Sequence, residues 1–387
     1  MRIAVLRKKY TFHGGAEGFS GSFIENLANA GEEIHIFAIK WQSGSAHKNI
    51  HFHKVPSITF NSFLRDLGFA AVSCHMLKRR RKDFDIIQTH DKTLYQDVYR
   101  AGDGCHIEWL KQRWKRTGLG GRLSVVMNPY HWLILALERS ILNGHKFQKI
   151  IAISEMVKRN ITDNYKVSPA DIEVIYNGVD LEKFHPANRG KFRTEIRRQY
   201  GVSDTDFVVL FMGSGFERKG VGYLMKAVES VKEPVTVMIV GKGKPPPLSP
   251  LTKGGQGGSI PRRHKIIFCG PQKDSYKYYA AADIFVFPTM YEPFGNVHLE
   301  ALASGLPVIT TKNSGASEII KDGVQGFVVR EPEDIKSIAE KIQFFIHNRE
   351  SLAAMSNDAR SRAEDFSFEK HIGRIRELYK SIIEKKG

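Results

Sequence analysis

Two glutamates eight positions apart, Glu292 and Glu300, lie in the string Glu292-Pro293-Phe294-Gly295-Asn296-Val297-His298-Leu299-Glu300, which follows the apolar run Ile284–Phe287 and opens a helix. Gly295 lets the backbone approach a ligand closely, and the amides of Asn296 and Val297 fall at a helix N-terminus, where unpaired N–H groups favour an anion. One carboxylate before the helix and one inside it can accept hydrogen bonds from hydroxyls at the two ends of a single elongated ligand, sugar at one end and ribose at the other. Taken singly, each would read as an ordinary helix-end or solvated glutamate.

A second set of reactive types is Phe211-Met212-Gly213-Ser214-Gly215-Phe216-Glu217-Arg218-Lys219-Gly220, again between a strand and a helix. Arg218 offers a forked contact and Lys219 a point charge to a diphosphate, and both would stabilise charge building up on a phosphate leaving group. The glycines match neither a Walker A loop nor the G-x-G-x-x-G fingerprint, because Arg218 takes the third glycine place. Near the N-terminus, Phe12-His13-Gly14-Gly15-Ala16-Glu17 links the first strand to a helix, so Gly14 and Gly15 point into the crevice of a doubly wound sheet. Asp204-Thr205-Asp206 has the form of a metal-holding D-x-D but precedes its strand, which reads as a solvated turn. No His/Cys/Asp cluster is evident elsewhere, so no metal site is expected.

These loops need elements to carry them. Strands are predicted at Ile3–Leu6, Ile34–Ala38, Ile50–Val55, Asp85–Thr89 and Lys149–Ile153, with helices near Glu17–Ala30, Ser62–Lys82, Trp132–Asn143 and Glu155–Tyr165. A second series starts at Phe207–Met212 and continues through Val235–Val240, Ile266–Cys269 and Ile284–Phe287. Alternating strands and helices imply parallel sheets. A chain of 387 residues has the length for two such domains. The predicted class is therefore α/β, with two Rossmann-like doubly wound domains facing a central cleft: 1–180, 181–365, and a C-terminal helix over 366–387 packing back on the first. The Pro/Gly-rich stretch 245–258 fits neither helix nor inner strand and reads as a mobile surface insertion.

The Glu292-to-Glu300 string resembles the E-x7-E signature of retaining glycosyltransferases of family 4, with the GT-B fold. The likeness extends over nearly the whole chain, through Gly14-Gly15, Tyr176-Asn177-Gly178-Val179-Asp180 and Glu217-Arg218-Lys219-Gly220. It implies a metal-independent transferase without cofactor, taking a hexose from a nucleotide diphosphate sugar, with UDP-glucose the expected donor. Arg218, Lys219, Glu292, Phe294, Gly295, Asn296, Val297 and Glu300 would hold the donor, with Gly14 and Gly15 beside its phosphates. Within the family, Gly213–Gly220 and Tyr99-Arg100-Ala101-Gly102-Asp103 look like bacterial enzymes that glucosylate the inner-core heptose of lipopolysaccharide. Asp103 stands where many relatives carry a histidine near the reacting sugar, so the resemblance makes it a catalytic candidate with Glu292, Lys219 and Arg218; His106 is the next choice. Transfer to another glycolipid or an exopolysaccharide is the alternative. Phe19 departs from relatives that carry an acidic residue there.

Lys plus Arg number 58 against 41 Asp plus Glu, a net charge of +17 that attracts anions of any kind. The basic runs lack any nucleic-acid-binding motif, so a nucleic-acid-binding protein is the rival class and not the expected one. Trp109 and Trp114 interleave with Lys111, Arg113, Lys115 and Arg116, and Lys78–Lys82 forms a second run, which together suit peripheral contact with an anionic membrane. No signal-peptide pattern or span of ~20 apolar residues is present, and three scattered cysteines suggest no disulfide framework. The cytoplasmic face of the inner membrane is the expected location.

Overall fold

A computed structural model describes residues 1–10, 15–41, 47–246 and 263–385. Gly14 and most of the 245–258 insertion lie outside the described residues. The chain divides into two units, Met1–Asn177 with Phe368–Gly387, and Gly178–Ser367.

The strands of the first unit are β1 (Arg2–Leu6), β2 (Lys9–Tyr10), β3 (Glu33–Ala38), β4 (Lys40–Trp41), β5 (Ile50–Lys54), β6 (Ile86–Thr89), β7 (Val98–Ala101), β8 (Lys149–Ala152) and β9 (Ile172–Val174). Seven of them form a sheet in the order β5-β3-β1-β6-β7-β8-β9, while β2 and β4 make a short ladder of their own. The period of two is visible in what each strand buries. Ile3 and Val5 of β1 join Phe19, Phe23 and Leu27 of helix Gly15–Asn29 on one face. Ala4 and Leu6 join Phe69 and Leu77 of helix Ser62–Arg79 on the other. Both faces are covered, which is why β1 reads as an unbroken apolar run.

The helix Phe368–Glu384 completes the first of those layers with Ile372, Ile375, Tyr379 and Ile382. Polar contacts fix its docking. Glu32 pairs with both the N-terminal amine and Arg376, each at 2.7 Å. His371 Nδ1 meets Tyr176 O at 2.7 Å, and the Tyr379 hydroxyl donates to Gln88 Oε1 at 2.8 Å.

The second unit has β10 (Val208–Met212), β11 (Thr236–Val240), β12 (Lys265–Gly270), β13 (Ile284–Phe287), β14 (Val308–Thr311) and β15 (Gly326–Val329), in the order β12-β11-β10-β13-β14-β15. Its strands all pair in parallel. In both sheets the winding reverses beside the first strand, at β1/β6 and at β10/β13, and such switch points are where doubly wound folds bind ligands.

Helix Asn188–Gln199 has no counterpart in the sequence reading, because it carries no apolar stripe. Arg189, Arg193 and Arg197 recur every four residues, so they share one helical face. All three guanidinium groups converge on buried Asp283, at 2.8, 3.0 and 2.9 Å. The basic-aromatic run from Trp109 to Arg116 is likewise helical, within His106–Arg116, and a second helix, Leu119–Val126, follows it. In the other basic run two residues are engaged internally: Arg80 pairs with Asp83 at 2.9 Å, and Arg81 donates to Phe84 O and reaches Asp97 at 3.4 Å.

Candidate active site

At the switch point of the second sheet, the loops after β10 and β13 are bound to one another. The amide of Met290 and the hydroxyl of Thr289 donate to Arg218 O at 3.0 and 3.2 Å. Gly215 and Gly220, both left-handed, bracket the single turn Phe216–Lys219. A Cβ on Gly220 would fall 1.8 Å from Pro288 O, so only glycine permits this approach of the loops.

The turn delivers two cations to one carboxylate. Arg218 Nη2 and Lys219 Nζ lie 3.5 and 3.6 Å from Glu292 Oε2. Burial by itself would raise the Glu292 pKa, but Lys219 and then Arg218 outweigh it and hold the carboxyl below its ordinary value. The backbone of Glu292 is pinned on both sides, its amide donating to Asn313 O and its carbonyl accepting from Gly315 N, both at 2.9 Å. Yet buried Oε2 takes part in no hydrogen bond among the described residues, since both cations stand at ion-pair distance. A buried acceptor that lacks a donor is the position a ligand hydroxyl would complete.

Gly295, at φ 84°, turns the chain into helix Asn296–Ala303, which starts without a side-chain cap. Inside this helix His298 does work that the sequence did not disclose. Burial holds its pKa down to about 4, so it is neutral. Its Nδ1–H donates to Gly295 O at 2.8 Å, leaving Nε2 to accept from the Thr310 hydroxyl, also at 2.8 Å. The glycine turn is thereby tied to β14. Phe294, expected among the donor contacts, is 0% exposed, so its side chain offers a ligand no surface.

Glu300 has a partner that no spacing announces. The Tyr279 hydroxyl, from helix Ser275–Ala281, donates to its Oε2 at 2.9 Å and also reaches Val297 O at 3.3 Å. Burial raises the Glu300 pKa, opposed by Tyr279, Lys183 and Lys219. The second unit thus gathers Arg218, Lys219, Glu292, Gly295, Asn296, Val297 and Glu300 on adjoining loops and one helix.

In the first unit, Gly15 opens the helix after β1, and Asp103 is exposed in the turn that follows β7. The two belong to a different unit from the other candidates. His106 is engaged: its Nε2 faces His131 Nδ1 at 3.0 Å, and burial, Lys92 and His131 lower its pKa to about 3. Arg100 is buried, donates to Asn177 Oδ1 at 2.6 Å and lies 4.7 Å over the Phe19 ring; burial and then Arg7 lower its pKa to about 9. That contact gives the Tyr176–Asp180 segment a structural role. In Asp204-Thr205-Asp206, Asp206 Oδ2 accepts the Ser203 amide at 3.0 Å, a turn closed on itself. One grouping of ligand-type side chains is not visible in any local spacing. Glu33, His35 and His51 meet across β3 and β5, remote in sequence but adjacent through strand pairing.

Family models match both units: "Glycosyltransferase Family 4" over residues 13–183 and "Glycosyl transferases group 1" over 192–362. The chain is a family 4-like glycosyltransferase of the GT-B type. It is 24% identical to the lipopolysaccharide glucosyltransferase WaaG of Escherichia coli over 368 residues, covering 94% of each chain. It is 29% identical to an uncharacterised glycosyltransferase of Methanocaldococcus jannaschii over 88% of this chain and 87% of that one. The crystal structure of WaaG superposes with a TM-score of 0.75 at 22% identity, covering 94% of this chain and 95% of the other. Anabaena HepE in complex with UDP-glucose superposes at 0.70 and 20% identity, over 98% and 100%. These superpositions establish the GT-B fold of the glycosyltransferase. No helix among its described residues is long and apolar enough to cross a membrane.

Proposed function

We propose that this glycosyltransferase moves glucose from UDP-glucose, with retention of configuration and without a metal, to a hydroxyl of an inner-core heptose of lipopolysaccharide. The observation that carries the reading is the buried Glu292 Oε2, lacking a hydrogen bond and flanked by Arg218 and Lys219. In it, Glu292 accepts hydrogen bonds from hydroxyls of the donor sugar, and the two cations take the diphosphate and stabilise it as the glycosidic bond breaks. Glu300, steadied by Tyr279, accepts from the ribose. The acceptor oxygen attacks from the face the nucleoside diphosphate leaves, with Asp103 at the acceptor side. Likeness to a lipopolysaccharide glucosyltransferase and to a protein crystallised with UDP-glucose supports this choice of donor and acceptor.

A glycolipid acceptor calls for membrane contact, and the first unit has a surface suited to it. Leu119, Met127 and Trp132 are 83%, 66% and 59% exposed, with Leu123 and Trp114 exposed nearby. Arg122 lies 5.3 Å over the Trp114 ring, and Arg113, Lys115 and Arg116 occupy the preceding helix. Exposed apolar side chains beside cations match the boundary between acyl chains and anionic headgroups, where each cation contributes about 1 kcal/mol.

The test is transfer of radiolabel from UDP-glucose to heptose-terminated lipopolysaccharide, with GDP- and ADP-glucose and soluble sugars as competitors. Lys219→Ala and Glu292→Ala are expected to lower turnover by at least about 10²- to 10³-fold while the protein stays folded. EDTA is expected to leave transfer intact. Transfer to soluble sugars alone would remove the glycolipid acceptor, and equal binding to neutral and anionic vesicles would remove the membrane model.

A further inference from the structure

A second cluster of ionisable groups lies at the edge of the first sheet, far in sequence from the loops that the transfer reaction uses. His35 of β3 and His51 of β5 are register partners, so their side chains emerge side by side on one face, with Glu33 two residues before His35 and His53 two after His51. Glu33 Oε1 lies 3.0 Å from His35 Nε2 and 3.7 Å from His51 Nε2, and one ligand atom from each residue falls within 4.8 Å of the others. His35 is buried, whereas Glu33 and His51 are open to solvent, which gives an ion a route of entry.

We propose that Glu33 Oε1, His35 Nε2 and His51 Nε2 form a zinc site that clamps the edge strand β5 to β3. Two imidazoles and a carboxylate are ligand types that zinc accepts, with water in the fourth place. Glu33 and His35 lie in the first half of β3, whereas the chemistry of a doubly wound sheet sits beyond the strand C-termini. The ion therefore serves stability and takes no part in transfer.

The surrounding hydrogen bonds add a test specific to this site. Arg80 Nη1 can only donate, and it faces His53 Nδ1 at 3.2 Å. His53 must then carry its proton on Nε2 and donate to His35 Nδ1 at 2.8 Å, which places the His35 proton on Nε2, donating to Glu33 at 3.0 Å. Zinc requires the Nε2 lone pair, so each ring keeps one proton but moves it to the other nitrogen. His35 Nδ1–H then donates to His53 Nε2, and His53 Nδ1–H confronts Arg80. Arg80 thus opposes the metal-bound arrangement without touching the metal.

Zinc is titrated calorimetrically into the full-length, chelator-stripped protein, with folding followed by circular dichroism and thermal unfolding. The expected result is one equivalent bound and a raised Tm, with binding lost in the solvent-exposed variant His51→Ala and weakened at least about tenfold in Glu33→Gln, both still folded. Arg80→Gln, whose carbonyl can accept from His53, is expected to tighten binding several-fold, while Arg79→Gln, which removes the same charge, leaves it unchanged. Cobalt in place of zinc is expected to give a four-coordinate visible spectrum that His51→Ala abolishes. Undiminished zinc binding in His51→Ala, or equal effects of the two arginine variants, would overturn the proposal. Loss of transfer on chelation, restored by zinc in wild type and matched by loss of transfer in the folded His51→Ala, would overturn the purely structural role.

Discussion

Replacing Tyr279 by phenylalanine removes one hydroxyl from a side chain that is fully buried, and so probes a contact to Glu300 that only the structure discloses. The hydroxyl donates to Glu300 Oε2 at 2.9 Å, with a longer contact to Val297 O at 3.3 Å. A hydrogen bond to a charged group contributes about 1.5–3 kcal/mol. If Glu300 must hold one orientation to accept from the donor, that energy appears as about a 10- to 100-fold rise in donor KM and Kd, since 1.4 kcal/mol is a factor of ten. The reacting bond is not touched, so kcat at saturating donor stays within a few-fold. A pH effect accompanies it. Burial already raises the Glu300 pKa, and Tyr279 is foremost among the groups that oppose the rise. Its removal lifts the pKa further, and a protonated carboxyl accepts poorly, so the acid limb of kcat/KM moves to higher pH. Steady-state kinetics across about pH 5 to 8, with UDP binding by calorimetry, reads these quantities. An unchanged donor KM, or a loss confined to kcat, would refute Glu300 as a donor ligand oriented by Tyr279.

Asp283→Asn is expected to cost about 3–5 kcal/mol in denaturant unfolding, because three guanidinium groups lose their common anion. Burial alone would raise the Asp283 pKa, but Arg193 and Arg197 hold it below 3.8; the stability it confers is present above that value and lost as pH falls through the folded pKa, an acid-limb slope the variant should lack. Gly295→Ala places a methyl 2.8 Å from His298 Nδ1 and 2.9 Å from Glu292 Cγ in a left-handed turn. The strain is about 1–2 kcal/mol, and displacement of Glu292 should make the fall in kcat, assayed beside Tm, exceed what lost stability explains. Ile375→Ala, at a wholly buried position of the C-terminal helix, is expected to destabilise the first unit by about 2–5 kcal/mol, as measured by urea unfolding.

Much of the fold was legible because it is written in local patterns. Parallel strands buried on both faces appear as short apolar runs, and β1, β3, β10, β11 and β13 all lie where such runs predict them. Helix Asn188–Gln199 was not legible, because what holds it is an ion cluster with Asp283, some ninety residues away in sequence. The candidate-site loops were legible for a different reason. Their residues are neighbours along the chain, so Arg218 with Lys219, and Glu292 with Gly295 and Glu300, stand in two short strings whose residue types suggest anion and hydroxyl binding. What the sequence alone determined is thus whatever acts within one turn or one strand: the two α/β series, the paired cations and the two carboxylates. Tertiary structure decided which remote groups set those side chains to work, namely Tyr279 on Glu300, Thr310 on His298, and Glu33, His35 and His51 as neighbours. Such partners meet through strand order and helix packing, and the free energy of a hydrogen bond or ion pair depends on distance in space, on which separation along the chain places almost no constraint.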